Sequence, residues 1–237
     1  MSDDRWLPFG AGAGAAAVVL FLAGALVIGD QPAFDASGAE IAAHVEDKRT
    51  RIQIACALNA IAMPLLVWFL ATVASLTPAA APGARRAAAL AYGCGLVFVA
   101  LFLVDNTALA VSALRPANLT ASPELATALR DLEWLSQGMA APIGASVLAA
   151  IAVLALRHSA IWPRWVGWMA AVAALAYLLR VGVLFTTEEP FSASGLLGLW
   201  VPVTALAASI LVGSTVLAIR VRNASRAGDQ ALGSSGQ

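Results

Sequence analysis

Six long stretches of this chain carry almost no charge, and that feature restricts what it can fold into. The runs are Phe9–Ile28, Ile52–Leu76, Ala87–Ala113, Trp134–Leu156, Trp162–Phe185 and Leu196–Ile219. Each meets or approaches the roughly 20 apolar residues that a helix needs to cross a hydrocarbon layer about 30 Å thick. Their length, and the lack of apolar–polar alternation, point to helices rather than barrel strands. Charged residues make up only 12% of the 237 residues, against about 25% in a soluble domain. The sequence therefore predicts an all-α polytopic membrane bundle of six transmembrane helices. Residues 1–222 form that single domain, and residues 223–237 form a polar, Gly/Ser-rich cytoplasmic tail expected to be disordered.

The first run is expected to stay as a membrane helix. Asp3 and Asp4 beside Arg5 leave no basic n-region, and no A-x-A site ends the run, so a cleaved signal peptide is a poor fit. Charge distribution sets an expected orientation. With the N-terminus inside, Arg5, Arg85, Arg86, Arg157, Arg164, Arg220, Arg222 and Arg226 fall in inner segments. Lys48, Arg49, Arg51, Arg115 and Arg130 fall in outer ones. The excess of basic residues inside places both termini in the cytoplasm of a cell whose plasma (inner) membrane holds the chain.

Two segments between the runs carry helical signatures of their own. Ser37-Gly38-Ala39-Glu40 fits a capping box, and Ile41, Ala42 and Val45 follow at helical spacing. Glu46 with Arg49, and Asp47 with Arg51, are spaced to support each other on that helix. Ser122-Pro123-Glu124 reads as an N-cap, a proline at the first position and an acid in the first turn. Leu125, Ala128, Leu129 and Leu132 then continue at helical spacing. Both segments are read as short amphipathic extensions on the outer side, leading into the second and fourth spans. Pro64 is expected to kink the second span, and Pro142 lies within the fourth. Trp162, Trp165 and Trp168 are read as an anchoring belt at the inner end of the fifth. Glu188 and Glu189 mark the outer loop before the sixth. Gly10-x-x-x-Gly14 in the first allows close helix approach, within the bundle or to another chain. Cys56 and Cys94 fall at opposite depths, too far apart to bridge.

Polar groups inside hydrocarbon are costly, so they are the places to look for function. Asp105 in the third span and Arg180 in the fifth both lie roughly 8–12 Å below the outer boundary, at about 1.5 Å of rise per residue. Opposite charge and similar depth predict an ion pair between them. Asn59, Asn106 and Gln137 join the same layer from the second, third and fourth spans. The inner half of the bilayer holds little beyond small hydroxyls. Two readings of this layer stand side by side: a fastener between helices, and an outward-facing pocket whose ligand contacts are Asp105, Arg180, Asn106, Asn59 and Gln137. On the second reading, the extensions Ser37–Arg51 and Pro123–Glu133 cover the pocket.

Several chemistries are excluded. The single lysine, Lys48, lies outside the spans, so no intramembrane Schiff base can form. His44 and His158 are the only histidines and fall on opposite sides, which removes bis-histidine haem ligation. No H-E-x-x-H exists, and no membrane histidine is present to activate a serine. Glu188-Glu189 lacks the arginine and histidines that accompany the paired glutamates of CAAX-type membrane proteases. No phosphate-binding or dinucleotide-binding glycine pattern stands before a suitable helix. No cofactor, metal or catalytic set is expected. Fourteen basic and fourteen acidic residues balance, which gives no footprint for nucleic acid.

Two stretches carry a family resemblance. One is Phe34-Asp35-Ala36-Ser37-Gly38-Ala39-Glu40-Ile41 with the charged run to Arg51, and the other is Trp162-Pro163-Arg164-Trp165-Val166-Gly167-Trp168. With the helix count, they make the chain resemble an uncharacterised group of six-helix bacterial, often actinobacterial, integral membrane proteins. The resemblance implies a fold and an inner-membrane location and supplies no activity. Expected partners are the lipid bilayer and a small-molecule or lipid ligand. The first functional expectation is thus binding or movement of a small solute or lipid through the polar layer. The alternative is a non-catalytic scaffold or partner subunit in which that layer is structural. A surface acid–base enzyme using Asp105, Glu133 or His44 has no convergent spacing behind it.

Overall fold

Proline sets several of the helix starts in this chain, because its missing N–H lies among those that a first turn leaves unbonded anyway. Pro8, Pro82, Pro116 and Pro123 each stand in the first turn of a helix. The computed structural model describes residues 6–33, 35–78, 80–158, 161–185, 191 and 195–234. The helices are α1 (Leu7–Ile28), α2 (Gly38–Ser75), α3 (Pro82–Leu114), α4 (Pro116–Ala121), α5 (Pro123–Arg157), α6 (Arg164–Leu178) and α7 (Val201–Ser234). Helix α6 tightens into 3-10 turns over Leu179–Leu184, and a wider π turn, Leu196–Trp200, precedes α7. Among the described residues there is no strand. Six helices are long and apolar enough to cross a membrane, which makes this a multi-pass membrane protein. Helix α7 runs to Ser234, past Arg222, where the sequence places the end of the domain. Glu188 and Glu189 lie outside the described residues.

The spans pack as a ring in chain order. Helix α1 lies on α2, α2 on α3, α3 on α5, α5 on α6, α6 on α7, and α7 closes on α1. Helix α5 is the most enclosed: 61% of its apolar window is buried, against 33% for α3 and α7. Lipid gives helices no hydrophobic reason to associate, so close packing and interhelical hydrogen bonds must do it. Gly10, Gly14 and Gly24 of α1 let Thr72, Phe69 and Asn59 of α2 approach, so this glycine face is spent inside the bundle. Ser214 of α7 donates to the Ala11 carbonyl at 2.6 Å and accepts from the Ala15 N–H at 2.9 Å. Trp162 is not part of the expected belt. It is fully buried and donates to the Gly213 carbonyl at 2.8 Å, while Trp165 and Trp168 are exposed. An indole N–H brought into a dry core needs an acceptor, and α7 supplies one.

At one end the two extensions form a cap. The Ser37 capping box is present: Glu40 N–H donates to Ser37 Oγ at 3.3 Å, and Ser37 N–H donates to Glu40 Oε2 at 2.8 Å. The short helix it starts runs into α2 through the one non-helical residue inside that helix, Lys48. Pro64 sits within helical backbone. Ile41, Ala42 and Val45 turn inward against Leu119 of α4 and Ala126 of α5. Arg49 does not pair with Glu46. It donates to the Ala113 and Leu114 carbonyls at 3.1 and 3.4 Å, where the end of α3 leaves acceptors unbonded. Ser122 takes the N-cap position of α5, but its hydroxyl caps no backbone N–H.

Gly38 is the point of closest approach in the cap: a Cβ there would lie 2.1 Å from the Pro123 carbonyl oxygen. Gly38→Ala is expected to lower stability by about 1–3 kcal/mol. Gly12→Ala, with nothing within 4 Å of the added carbon, should leave the melting temperature unchanged or slightly raised. Thermal unfolding of the two variants in one detergent checks this, and equal melting temperatures would remove the contact from the account.

Candidate functional site

Just beneath the cap, polar side chains from four helices enter the bundle and sort into two groups. The first joins α2 to α3. Asn106 donates to the Cys56 carbonyl at 3.0 Å, and Asn59 donates to Asn106 Oδ1 at 3.4 Å. The second joins α3, α5 and the 3-10 turns that end α6. Gln137 Nε2 donates to both carboxylate oxygens of Asp105, at 3.2 and 3.3 Å. Arg180 Nη2 donates to Gln137 Oε1. The expected direct ion pair between Asp105 and Arg180 is therefore replaced by a three-part relay with the amide in the middle. A primary amide suits that place, because it donates from nitrogen and accepts on oxygen at once.

The ion pair found among the described residues is Arg130–Glu133, at 3.6 Å and one helical turn apart on α5. Both side chains are buried. Arg130 also donates to Gln31 Oε1 at 2.6 Å and to the Pro32 carbonyl at 3.0 Å, and it lies 5.0 Å from the centre of the Trp134 ring. Arg130 thus pins the α1–α2 connection over the end of α5. Sequence reasoning placed Arg130 in an outer segment and read Leu125, Ala128, Leu129 and Leu132 as the periodic face. Leu129 packs against the cap, but Leu125, Ala128 and Leu132 are exposed, while Ala126, Arg130, Glu133, Trp134 and Gly138 point inward. The inward series has spacings of four, three, one and four, a single helical stripe that could have been read from the sequence. It was hidden because a helix near lipid can turn its apolar face outward and its charges in.

Below the relay lies a cavity of about 80 Å³, lined from all six spans. Its walls are mainly apolar, with Phe21, Leu66, Phe98, Phe102 and Leu206 among them. Ser136, Gln137, Tyr177 and Arg180 supply the polar part. One water needs only about 10–15 Å³ measured in this way, so the space exceeds a single solvent molecule. Of the five expected contact residues, Gln137 and Arg180 line the cavity. Asp105 holds Gln137 from behind, and Asn59 and Asn106 form the separate fastener between α2 and α3.

Arg180 is the anomaly. Its side chain is 2% exposed, yet its Nε and Nη1 have no hydrogen-bond partner among the described residues. A buried charged donor without an acceptor costs more than a neutral one, and native structures hold few such groups. The site and fold define a class: a six-span membrane protein with a central cavity headed by a buried arginine. Compared with protein-family models, curated proteins and solved structures, the chain finds no match in any of the three.

If Gln137 is the joint, then Asp105→Asn and Arg180→Gln should couple through it. We expect a coupling energy of about 1–2 kcal/mol in the wild-type background, measured as a double-mutant cycle on stability. In a Gln137→Leu background it should fall below about 0.5 kcal/mol. Coupling that survives the loss of Gln137 would mean the two charges interact directly.

Proposed function

We propose that this protein binds a small solute or lipid in the central cavity, and that binding or movement of that molecule is its role. The observation that carries the reading is Arg180: a buried guanidinium that lines a cavity, with Nε and Nη1 unpartnered among the described residues. No other described side chain leaves two charged donors buried in this way. Holding a charge with donors unused is a folding cost that a ligand would offset. The orientation drawn from the basic residues puts the cap and the polar layer toward the outside of a bacterial inner membrane, with both termini in the cytoplasm. In that orientation the cavity head lies close beneath the outer interface, under the cap formed by the Gly38–Asp47 helix and the start of α5.

The alternative, a scaffold or partner subunit, leans on the glycine face of α1 as a docking surface. Three of those glycines are already occupied by α2, and only Gly12 has open space before it.

Mass spectrometry of molecules retained by protein purified from its native membranes tests the proposal. Wild type should carry a small molecule or lipid at near-equal ratio. Ala207→Phe, which places a ring in the cavity, should reduce that occupancy by roughly tenfold or more. An identical complement on wild type and Ala207→Phe would end the reading.

A further inference from the structure

We infer that the molecule bound by the central cavity is a single-chain amphiphile with a carboxylate head, a fatty acid in chemical class. This rests on the cavity being a binding site, as proposed above, and adds what binds there. The head is specified by Arg180. Its Nε and Nη1, unpartnered among the described residues, are donors with no acceptor function of their own, so they select an oxygen-bearing group. A carboxylate matches a guanidinium in charge and geometry better than a hydroxyl does, because both groups are planar and the bonds are charge-assisted. Asp105 does not meet that need, since Gln137 stands between the two.

The tail is specified by what lies further along the bundle. A second, narrower space shares Leu66, Phe98, Leu206 and Ile210 with the first and continues away from Arg180 toward Val147 and Ile151. Its lining has no polar side chain. From Gln137 to Ile151 helix α5 rises by about 21 Å at 1.5 Å per residue, the scale of a long extended chain. Polar at one end and apolar along the rest, the paired spaces have the profile of one amphiphile lying between the helices. The narrow part has about 10 Å³ of free volume, so short chains should enter first and longer ones should have to part Leu70 and Ile151.

The test uses full-length protein in phosphatidylcholine nanodiscs and follows thermal unfolding with decanoate, decan-1-ol or inorganic phosphate added. Decanoate should stabilise wild type and bind roughly tenfold or more tightly than decan-1-ol, and phosphate, which has no tail, should do nothing. Arg180→Gln should bring decanoate and decan-1-ol to equal affinity. Ala207→Phe keeps the arginine and fills the space, so it should abolish stabilisation by both. Should Arg180→Gln not fold, the wild-type preference and the Ala207→Phe loss still decide the matter. Equal stabilisation by acid and alcohol, both lost in Ala207→Phe, would overturn the carboxylate inference and leave the binding site standing. Stabilisation by phosphate alone would overturn the tail. No response to any probe in wild type would overturn the inference, and the retained-molecule experiment would then judge the binding site independently.

Discussion

The amide of Gln137 is the joint on which the functional end of this bundle depends. It is one side chain on α5, the most enclosed helix, and it ties a carboxylate on α3 to a guanidinium at the end of α6. Two opposite charges in direct contact would largely cancel and could bury themselves as a closed unit. An amide between them gives each charge a dipole to face. Gln137 and Arg180 both line the cavity. The tightening of α6 into 3-10 turns at Leu179–Leu184 belongs to the same arrangement, since Arg180 is carried on the first of those turns.

The cap above the relay depends on a second set of charges used in a different way. Arg49 and Arg130 spend their donors on backbone carbonyls at the end of α3 and in the α1–α2 connection. Orphaned carbonyls at helix ends must be satisfied near a membrane as anywhere else, and a guanidinium can serve two at once. These arginines therefore close the end of the ring that the Gly38–Pro123 contact brings together. Among the described residues, Arg130 leaves one buried donor, Nε, without a partner, and Arg180 leaves two, Nε and Nη1.

Much of the architecture was legible because hydrocarbon permits so few solutions. Six runs with almost no charge become six spans, and Pro123 and the Ser37 capping box mark helix starts by local chemistry alone. The shared depth of Asp105 and Arg180 also follows from counting residues along helices. What counting cannot give is the lateral arrangement. Whether two side chains at one depth touch depends on which helices adjoin, and α5 stands between α3 and α6 in the ring. That is why Gln137, and not a direct ion pair, joins them. The same lack of lateral information placed Trp162 with the surface tryptophans and left Arg130 and Glu133 as charges of an outer extension. Arg130 and Glu133 belong to a mixed stripe of α5 that faces the bundle, while Trp162 stands just before α6 and is buried.

The two polar groups of this layer differ in what they face. Asn59 and Asn106 bond to each other and to the α2 backbone, and they do not line the cavity. Asn59 Oδ1 is left without a partner, but it is a neutral acceptor, and losing one bond there costs far less than stranding a charge. Arg180 lines the cavity, and two of its buried donors have no partner among the described residues. Evolution or chance can leave a neutral oxygen idle at small cost. A guanidinium donor held dry beside an apolar cavity costs more to leave idle than a neutral oxygen does.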